Sequence, residues 1–208
     1  MAIQTVQDLF IDELKDIYSA EKQAIKMYPK LAKSVTSGEL KEALQTHLEE
    51  TKGQIERLDR VFEILEKRPT GKTCEGMKGV LEESSEALEE IEQGPVRDVA
   101  LIAAAQRSEH YEIAAYGTVV ALAKALGEQE ILGLLQETLE QEKATDKKLT
   151  MVSKSVNKQA ISESEPEEEG EEMEGDEEGG EEEEDAGDEE EVEPVVAPTK
   201  AAKKGGKR

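Results

Sequence analysis

The sequence predicts an all-α fold: a four-helix bundle with an extra short helix between the second and third long helices, followed by a disordered acidic tail. Four long segments place apolar residues at alternating spacings of three and four, which lines one face of a helix. The residues before position 162 are rich in Ala, Leu, Glu and Lys, and the chain has no Trp, two Phe and four Tyr. Such a composition favours helices that pack through narrow apolar stripes.

The formal net charge of −24 is concentrated towards the C-terminus. Residues 1–161 hold 29 acidic and 21 basic residues, whereas residues 162–208 hold 21 acidic and 5 basic residues. Residues 162–193 are Glu, Asp and Gly with almost no apolar side chains, a composition that does not fold. We therefore divide the chain into a helical bundle domain, residues 1–161, and a disordered acidic tail, residues 162–208.

The charge distribution also limits the partners of the chain. Because an acidic domain repels phosphate groups, we expect it not to bind nucleic acid. The tail ends in a basic tip that contains Lys200, Lys203, Lys204, Lys207 and Arg208. A weak, salt-sensitive contact between this basic tip and nucleic acid or an acidic partner is therefore an alternative prediction. The acidic stretch before it either keeps the protein soluble or concentrates cations near the domain.

The sequence predicts a cytoplasmic protein without a membrane partner. Cys74 is the only cysteine, so the chain cannot form an internal disulfide. The N-terminus lacks the basic and apolar regions of a signal peptide. No run approaches the roughly 18 apolar residues that cross a bilayer.

The first helix is predicted to follow Thr5, an N-cap residue whose capping-box partner is Asp8. Its apolar face contains Phe10, Leu14, Ile17, Glu21, Ala24, Tyr28, Leu31 and Val35. Glu21 is the residue that interrupts this face. The second helix is predicted from Ser37 to Lys67, and its inward face is interrupted by His47, Glu50 and Gln54.

The third long helix is predicted to end at Gly127, with Glu109 and Glu112 in the middle of its apolar stripe. A loop at residues 68–75 and a short helix over residues 76–92 precede it. A helix in this connection permits the long crossover found in ferritin-like bundles. The fourth long helix is predicted over residues 128–156, with Glu142 and Asp146 inward.

The polar interruptions define an internal repeat. Shifting the first helix by 91 residues superimposes Glu21 on Glu112, and shifting the second by 92 residues superimposes Glu50 on Glu142. The residues one turn after this second pair superimpose as well. Two helix hairpins related in this way would form a bundle with approximate twofold symmetry.

Carboxylates that face one buried space predict a metal site, because burying each costs several kcal/mol unless a cation or hydrogen bonds compensate. The predicted metal ligands are Glu21, Glu50, Gln54, Glu112, Glu142 and Asp146. This oxygen-rich set suits two divalent ions, iron first, with manganese or zinc as alternatives. No catalytic residue is predicted beyond these ligands.

Three further residues are candidates for the same site. Glu109 lies one turn before Glu112 and would be an additional ligand. His47 lies one turn before Glu50 and is either a ligand, a neighbour of the ligands or a core histidine. Tyr18 occupies the repeat position of Glu109 and either hydrogen-bonds a ligand, carries an electron or packs in the core.

The chain resembles the ferritin-like YciE/YciF-type stress proteins, a family also labelled ferroxidases. The resemblance covers residues 3–157 and rests on LFIDELKDIY (9–18), HLEET (47–51), RL (57–58), EHYEIAAYG (109–117) and EKATD (142–146). It implies a ferritin-like bundle with an extra helix, a candidate di-iron site, a homodimer and a role in stress. It departs from ferritin-like sites at Gly53 and Thr145, which stand where those sites carry histidine.

The main functional hypothesis is a cytoplasmic di-iron protein of the stress response that oxidises Fe²⁺ with O₂ or peroxide. One alternative is a non-catalytic helical stress or interaction protein with a structural or vestigial metal site. Another is a manganese catalase-like protein that disproportionates peroxide. Metal ions are the expected cofactor in the first and third hypotheses.

Overall fold

The computed structural model describes residues 3–164, which fold into five α-helices. These are α1 (Val6–Ser34), α2 (Gly38–Ile64), α3 (Glu75–Glu90), α4 (Pro95–Leu126) and α5 (Gln129–Ser164). The all-α prediction is confirmed, and α5 continues past the predicted helix end at Val156 and the predicted domain boundary at residue 161. The remaining predicted tail and its basic tip, Lys200 to Arg208, lie outside the described residues.

The helix ends follow from local chemistry. Thr5 caps α1 through the predicted capping box, in which its hydroxyl accepts from Asp8 N and its own N–H donates to the Asp8 carboxylate. Pro95 is the first residue of α4. An N–H at this position has no intrahelical acceptor, so proline, which lacks the N–H, costs no hydrogen bond there. Gly127 ends α4 with a φ of 79°, a left-handed conformation that glycine adopts without steric cost.

The four long helices form two hairpins that pack side by side. Residues 35–37 join α1 to α2, and residues 127–128 join α4 to α5, so each hairpin is antiparallel. Between the hairpins, α1 packs on α4 and α2 packs on α5. The third helix, α3, lies in the crossover and packs on α1 and α4. This is the predicted bundle with an extra helix in its long connection. Among residues 3–164, no helix is long and apolar enough to cross a membrane.

The core contains two large apolar clusters separated along the bundle and a smaller one, formed by Ala20, Cys74 and Met77, beneath α3. One surrounds Leu31 on α1 and Leu149 on α5. The other surrounds Phe10 on α1 and Leu135 on α5. Buried polar residues lie between these two clusters on every long helix. The fold therefore holds a polar layer in the middle of an otherwise apolar core.

A contact around Cys74 fixes the extra helix to the bundle. Cys74 is fully buried; its Sγ caps α3 by accepting from Met77 N and lies 2.8 Å from Tyr111 Oη on α4. Gly76 permits this approach, because a Cβ there would come within 2.6 Å of the Tyr111 ring. Burial raises the pKa of the Cys74 thiol, so this residue is a structural contact and not a reactive thiolate.

Asp98 joins the two hairpins at one end of the bundle. It is 1% exposed and lies in the first turn of α4. Its carboxylate accepts from Thr36 N at 2.9 Å, Thr36 Oγ1 at 2.7 Å and Ser37 N at 2.7 Å. These donors precede α2, where a negative charge also interacts favourably with the helix dipole.

We expect Asp98→Ala to lower the free energy of unfolding by about 1–3 kcal/mol, because the buried Asp98 side chain loses several charge-assisted hydrogen bonds to Thr36 and Ser37. Urea denaturation followed by circular dichroism measures this change. Asp98→Asn keeps one acceptor oxygen and should lose less. A change in Asp98→Ala below about 0.5 kcal/mol, the usual size for surface positions, would contradict the assigned role of Asp98.

Candidate metal centre

The polar layer contains six buried side-chain atoms that have no hydrogen-bond partner within the described part of the chain. They are Glu21 Oε2, His47 Nε2, Gln54 Oε1, Glu109 Oε2, Glu112 Oε1 and Glu142 Oε2. All six residues are 2% exposed or less. An unpartnered buried polar atom normally lowers the free energy of unfolding by about 1–3 kcal/mol. Six such atoms at one level of a bundle therefore need a physical explanation.

Four of these residues form a compact group from three helices. His47 on α2, Glu109 and Glu112 on α4, and Glu142 on α5 each offer one ligand atom, and these atoms lie within 4.8 Å of one another. The two glutamates of α4 are three residues apart, so they project from the same face of that helix. The group therefore surrounds one small buried space.

His47 has a different environment on each side of its ring. Nε2 lies 3.1 Å from Glu109 Oε1 and 3.9 Å from Glu142 Oε2, on the buried side. Nδ1 lies 3.2 Å from Thr145 Oγ1 and 3.6 Å from Glu50 Oε2, on the outer side. The imidazole thus separates a partly exposed carboxylate from the buried ones.

Two buried tyrosines support the carboxylates from opposite ends of the layer. Tyr28 on α1 donates to Glu109 Oε1 at 3.1 Å, and Tyr116 on α4 donates to Glu21 Oε1 at 2.6 Å. Each tyrosine follows the glutamate of its own helix by seven residues, which is two helical turns. The two helices therefore exchange equivalent hydrogen bonds, each orienting a carboxylate of the other.

Gln54 completes the layer on α2. Its Nε2 donates to Glu142 Oε1, which leaves its Oε1 as an unused buried acceptor. One turn further along α2, Arg57 donates to Thr138 Oγ1 at 2.9 Å. The positive charge of Arg57 lowers the pKa of Glu21, although burial outweighs this effect.

Burial raises the pKa of Glu21, Glu109 and Glu112 well above the ordinary value of 4.5, and repulsion among the carboxylates raises it further. Burial also raises the pKa of Glu142, while the nearby His47 opposes this shift. Without a cation, carboxyl groups in such a layer hold protons in place of charge. The partly exposed Glu50 differs, because the adjacent His47 imidazole lowers its pKa.

The structure places six of the predicted site residues together: Glu21, His47, Gln54, Glu109, Glu112 and Glu142. Three other predicted residues lie elsewhere. The Glu50 side chain is 34% exposed at the rim of the layer. Asp146 is 23% exposed on the outer side of α5 and contacts Gln106 and His110. Tyr18 packs edge-on against Phe62 in an apolar cluster.

A one-residue difference in the repeat explains the positions of Glu50 and Asp146. In the structure, buried residues of α2 and α5 correspond at an offset of 91 residues, whereas the prediction used 92. Buried pairs at this offset are Leu40 with Ile131, Leu44 with Leu135 and Leu58 with Leu149. One residue on a helix is a rotation of about 100°, which is enough to move a side chain from the core to the surface. At the observed offset Glu50 corresponds to Gln141, which is also only partly buried.

The sequence pattern indicates no site role for Thr145 or Tyr116, and it places Tyr28 only on the apolar face of the first helix. A signal for the tyrosines was available, since Glu21 to Tyr28 and Glu109 to Tyr116 have the same seven-residue spacing. In the sequence, Thr145 is distinctive only because ferritin-like sites carry a histidine at this position. Its contact with His47 depends on how α2 packs against α5, which no local pattern reveals.

The residues present fit a divalent metal centre. The unpartnered atoms are carboxylate and amide oxygens with one imidazole nitrogen, the donor types that iron, manganese and zinc accept. A cation among them would compensate the buried carboxylates and use the atoms that protein groups leave unpaired. Asp146 and the exposed His110 do not contribute to this space.

Comparisons with known proteins agree with the fold and the sequence resemblance. A family model described as "Domain of unknown function (DUF892)" matches residues 5–162. Protein YciF of Escherichia coli (strain K12) is 49% identical over 162 residues, which cover 77% of this chain and 98% of that protein.

Solved structures of similar proteins extend this agreement. The crystal structure of the E. coli stress protein YciF matches with a TM-score of 0.73 and 48% identity, covering 75% of this chain and 99% of that one. YcfI from Rhodopseudomonas palustris matches with a TM-score of 0.69 and 45% identity, covering 71% and 94%. A protein from Xanthomonas campestris pv. campestris, at 22% identity and a TM-score of 0.61, shares the fold, with 76% and 98% covered.

We expect the metal-free protein to lose stability as the pH rises from about 5 to about 8. The buried glutamates have raised pKa values in the folded state, so folded protein binds more protons than unfolded protein above about pH 4.5, and stability falls with pH. Melting temperatures of chelator-treated protein across this range measure the effect.

Glu112→Gln/Glu142→Gln is the matched control for this pH dependence. It removes two of the titrating groups while keeping their size, so its melting temperature should vary less with pH. A melting temperature of metal-free wild type that stays constant or rises from about pH 5 to about pH 8 would contradict the assignment of buried protonated carboxyls.

Proposed function

The chain belongs to the family described as "Domain of unknown function (DUF892)", and from this membership and the buried acidic centre we propose that it binds two divalent metal ions, iron foremost. We further propose that it oxidises Fe²⁺ with O₂ or peroxide as part of a stress response. The stress connection is taken from the E. coli relative, whose structure is that of a stress protein.

The observation that carries this proposal is the set of six unpartnered buried atoms in one polar layer. A purely structural bundle would fill these positions with apolar side chains, because buried ionisable groups without partners reduce stability. Their compensation by bound cations explains why the layer exists. It also explains why its members are oxygen donors with a single imidazole.

The layer contains donors for two ions. His47, Glu109, Glu112 and Glu142 form the compact group. Gln54 adjoins it through its hydrogen bond with Glu142, and Glu21 lies in the same buried layer, where one of its oxygens accepts from Tyr116 and the other has no partner among residues 3–164. The compact group would hold the first ion, and Glu21 and Gln54 would contribute donors to the second.

Bound iron would supply one-electron redox chemistry toward O₂ or peroxide, which carboxylate-rich helical bundles support. The protein residues supply the surroundings. Tyr28 and Tyr116 orient Glu109 and Glu21 through their hydroxyl groups. The two apolar clusters exclude water from both ends of the layer. The buried carboxyl groups would release their protons when a cation binds in place of those protons.

The predicted homodimer and cytoplasmic location remain part of this proposal. Sedimentation velocity of the full chain measures the first, and cell fractionation measures the second. Neither is needed for the metal chemistry, because every proposed ligand comes from one chain.

We expect about two metal ions per chain after anaerobic Fe²⁺ loading, and far fewer in Glu112→Gln/Glu142→Gln. Elemental analysis after gel filtration measures the ratio, and the melting temperature should rise with metal only in wild type. Asp146→Asn is the control, since this carboxylate lies outside the buried layer. Equal metal content in wild type and the double variant would exclude the assigned ligands.

Reaction assays then separate the proposed activity from its alternatives. We expect wild type to oxidise Fe²⁺ at least about tenfold faster than the double variant, measured by ferric absorbance and oxygen uptake. Oxygen release from peroxide by manganese-loaded protein would favour the catalase-like alternative. Metal binding without acceleration of either reaction would leave a structural metal site and contradict the ferroxidase proposal.

A further inference from the structure

We propose that Glu50 and Thr145 are positioning residues of the metal centre, which hold the His47 ring so that Nε2 is its metal-binding atom. In this proposal Glu50 is not itself a ligand. The inference rests on the proposed metal centre and specifies how its one nitrogen ligand is oriented. Nothing in the ligand spacing of the sequence indicates this arrangement.

The direction of the hydrogen bonds follows from the chemistry of the three groups. Glu50 is partly exposed, so it is an ionised carboxylate near neutral pH and can only accept. The Thr145 hydroxyl therefore donates to Glu50 Oε2, 3.4 Å away. Its oxygen lone pair then faces His47 Nδ1 at 3.2 Å. Nδ1 must carry the proton of this contact, which leaves the lone pair of a neutral ring on Nε2.

The buried side of the ring agrees with this orientation. Nε2 is buried and has no hydrogen-bond partner within residues 3–164. It points toward Glu109 Oε1 at 3.1 Å and Glu142 Oε2 at 3.9 Å. Glu109 Oε1 already accepts the Tyr28 hydroxyl proton. A cation among Nε2 and the two carboxylates satisfies all three groups at once.

Packing fixes the plane of the imidazole but not which edge faces inward. The Tyr28 ring stands perpendicular to it, with centroids 4.8 Å apart. A half-turn about the Cβ–Cγ bond of His47 keeps this plane and places a ring carbon toward the buried carboxylates. Only polar contacts distinguish the two orientations, and Thr145 and Glu50 supply them on the Nδ1 side. Outer hydrogen bonds of this kind commonly orient metal-binding histidines.

The position of Glu50 argues against direct ligation. Its side chain is 34% exposed, whereas Glu109 and Glu142 are fully buried. Glu50 Oε2 contacts the outer nitrogen of His47, and the imidazole lies between this oxygen and the buried group. Glu50 therefore acts on the centre through the ring.

The test uses ¹⁵N-histidine NMR of the full chain, which has only two histidines. His110→Asn removes the exposed one and leaves the His47 signals alone. Zn²⁺ is the probe, because it is diamagnetic and accepts the same donors. We expect Zn²⁺ to shift Nε2 strongly while Nδ1 keeps its proton. In Glu50→Ala/Thr145→Val this pattern should be lost, and Zn²⁺ affinity should fall about 10–100-fold.

Conservative variants separate positioning from direct ligation and from loss of folding. Glu50→Gln keeps a carbonyl acceptor and Thr145→Ser keeps the hydroxyl, so both should retain the wild-type Nε2 signal and nearly the wild-type affinity. The melting temperatures of the metal-free variants show that each is folded. If Glu50→Gln loses Zn²⁺ as severely as Glu50→Ala while the His47 spectrum is unchanged, Glu50 is a ligand and the positioning proposal is overturned.

Two other results bear on the proposal in different ways. Zn²⁺ bound through Nδ1, or stoichiometric Zn²⁺ that leaves both His47 nitrogens unchanged, would overturn the inference while the metal centre stands. If wild type binds neither Zn²⁺ nor Fe²⁺, the proposed function fails. The spectrum of the metal-free protein then tests the orientation alone. The Nδ1 proton of His47 should be present in wild type and Thr145→Ser and should exchange with water faster in Thr145→Val. Equal exchange rates in all three proteins would overturn the positioning proposal.

Discussion

The structure of this protein depends on how it compensates the free-energy cost of burying acidic side chains in the centre of a helical bundle. Four glutamates with raised pKa values, one histidine and one glutamine occupy a single layer, and six of their polar atoms have no partner within residues 3–164. Two apolar clusters, one on each side, supply the burial that holds the helices together around this layer. The protein thus places its least stable interactions between its two main apolar clusters, a distribution typical of functional sites.

The surrounding contacts are arranged to keep these side chains in place. Tyr28 and Tyr116 donate across the α1–α4 interface to a carboxylate of the other helix, so the orientation of each carboxylate depends on the packing of both helices. Asp98 connects α4 to the start of α2, and the contact between Cys74 and Tyr111 attaches α3 to α4 directly beside Glu112. The supporting contacts therefore come from several of the helices that border the layer.

The centre is not symmetric, although the fold consists of two similar hairpins. Only α4 contributes two buried glutamates, and only α2 contributes an imidazole. The position on α5 that faces this imidazole is Thr145, whose hydroxyl contacts His47 Nδ1. A metal centre built in this way offers one nitrogen donor among oxygen donors. Its metal preference and redox potential would differ from those of a centre with one histidine on each hairpin. The chain shares its fold with the E. coli stress protein YciF, which it matches over nearly that protein's whole length.

Helix content, the order of the helices, the capping box at Thr5 and the buried positions of Glu21, Glu112 and Glu142 followed from the sequence, because each depends on spacing along a single helix. The sequence also indicated that the polar residues lie at one level, since they interrupt the apolar stripes at similar depths. The tertiary structure decided the rest. Whether Glu50 faces the layer or lies at its rim depends on the rotation of α2, in which one residue corresponds to about 100°, and this rotation is fixed by packing against α5. The same contact turns Asp146 outward and Thr145 inward. Side chains that meet across two helices are set by how those helices pack, and no spacing within either one contains that information.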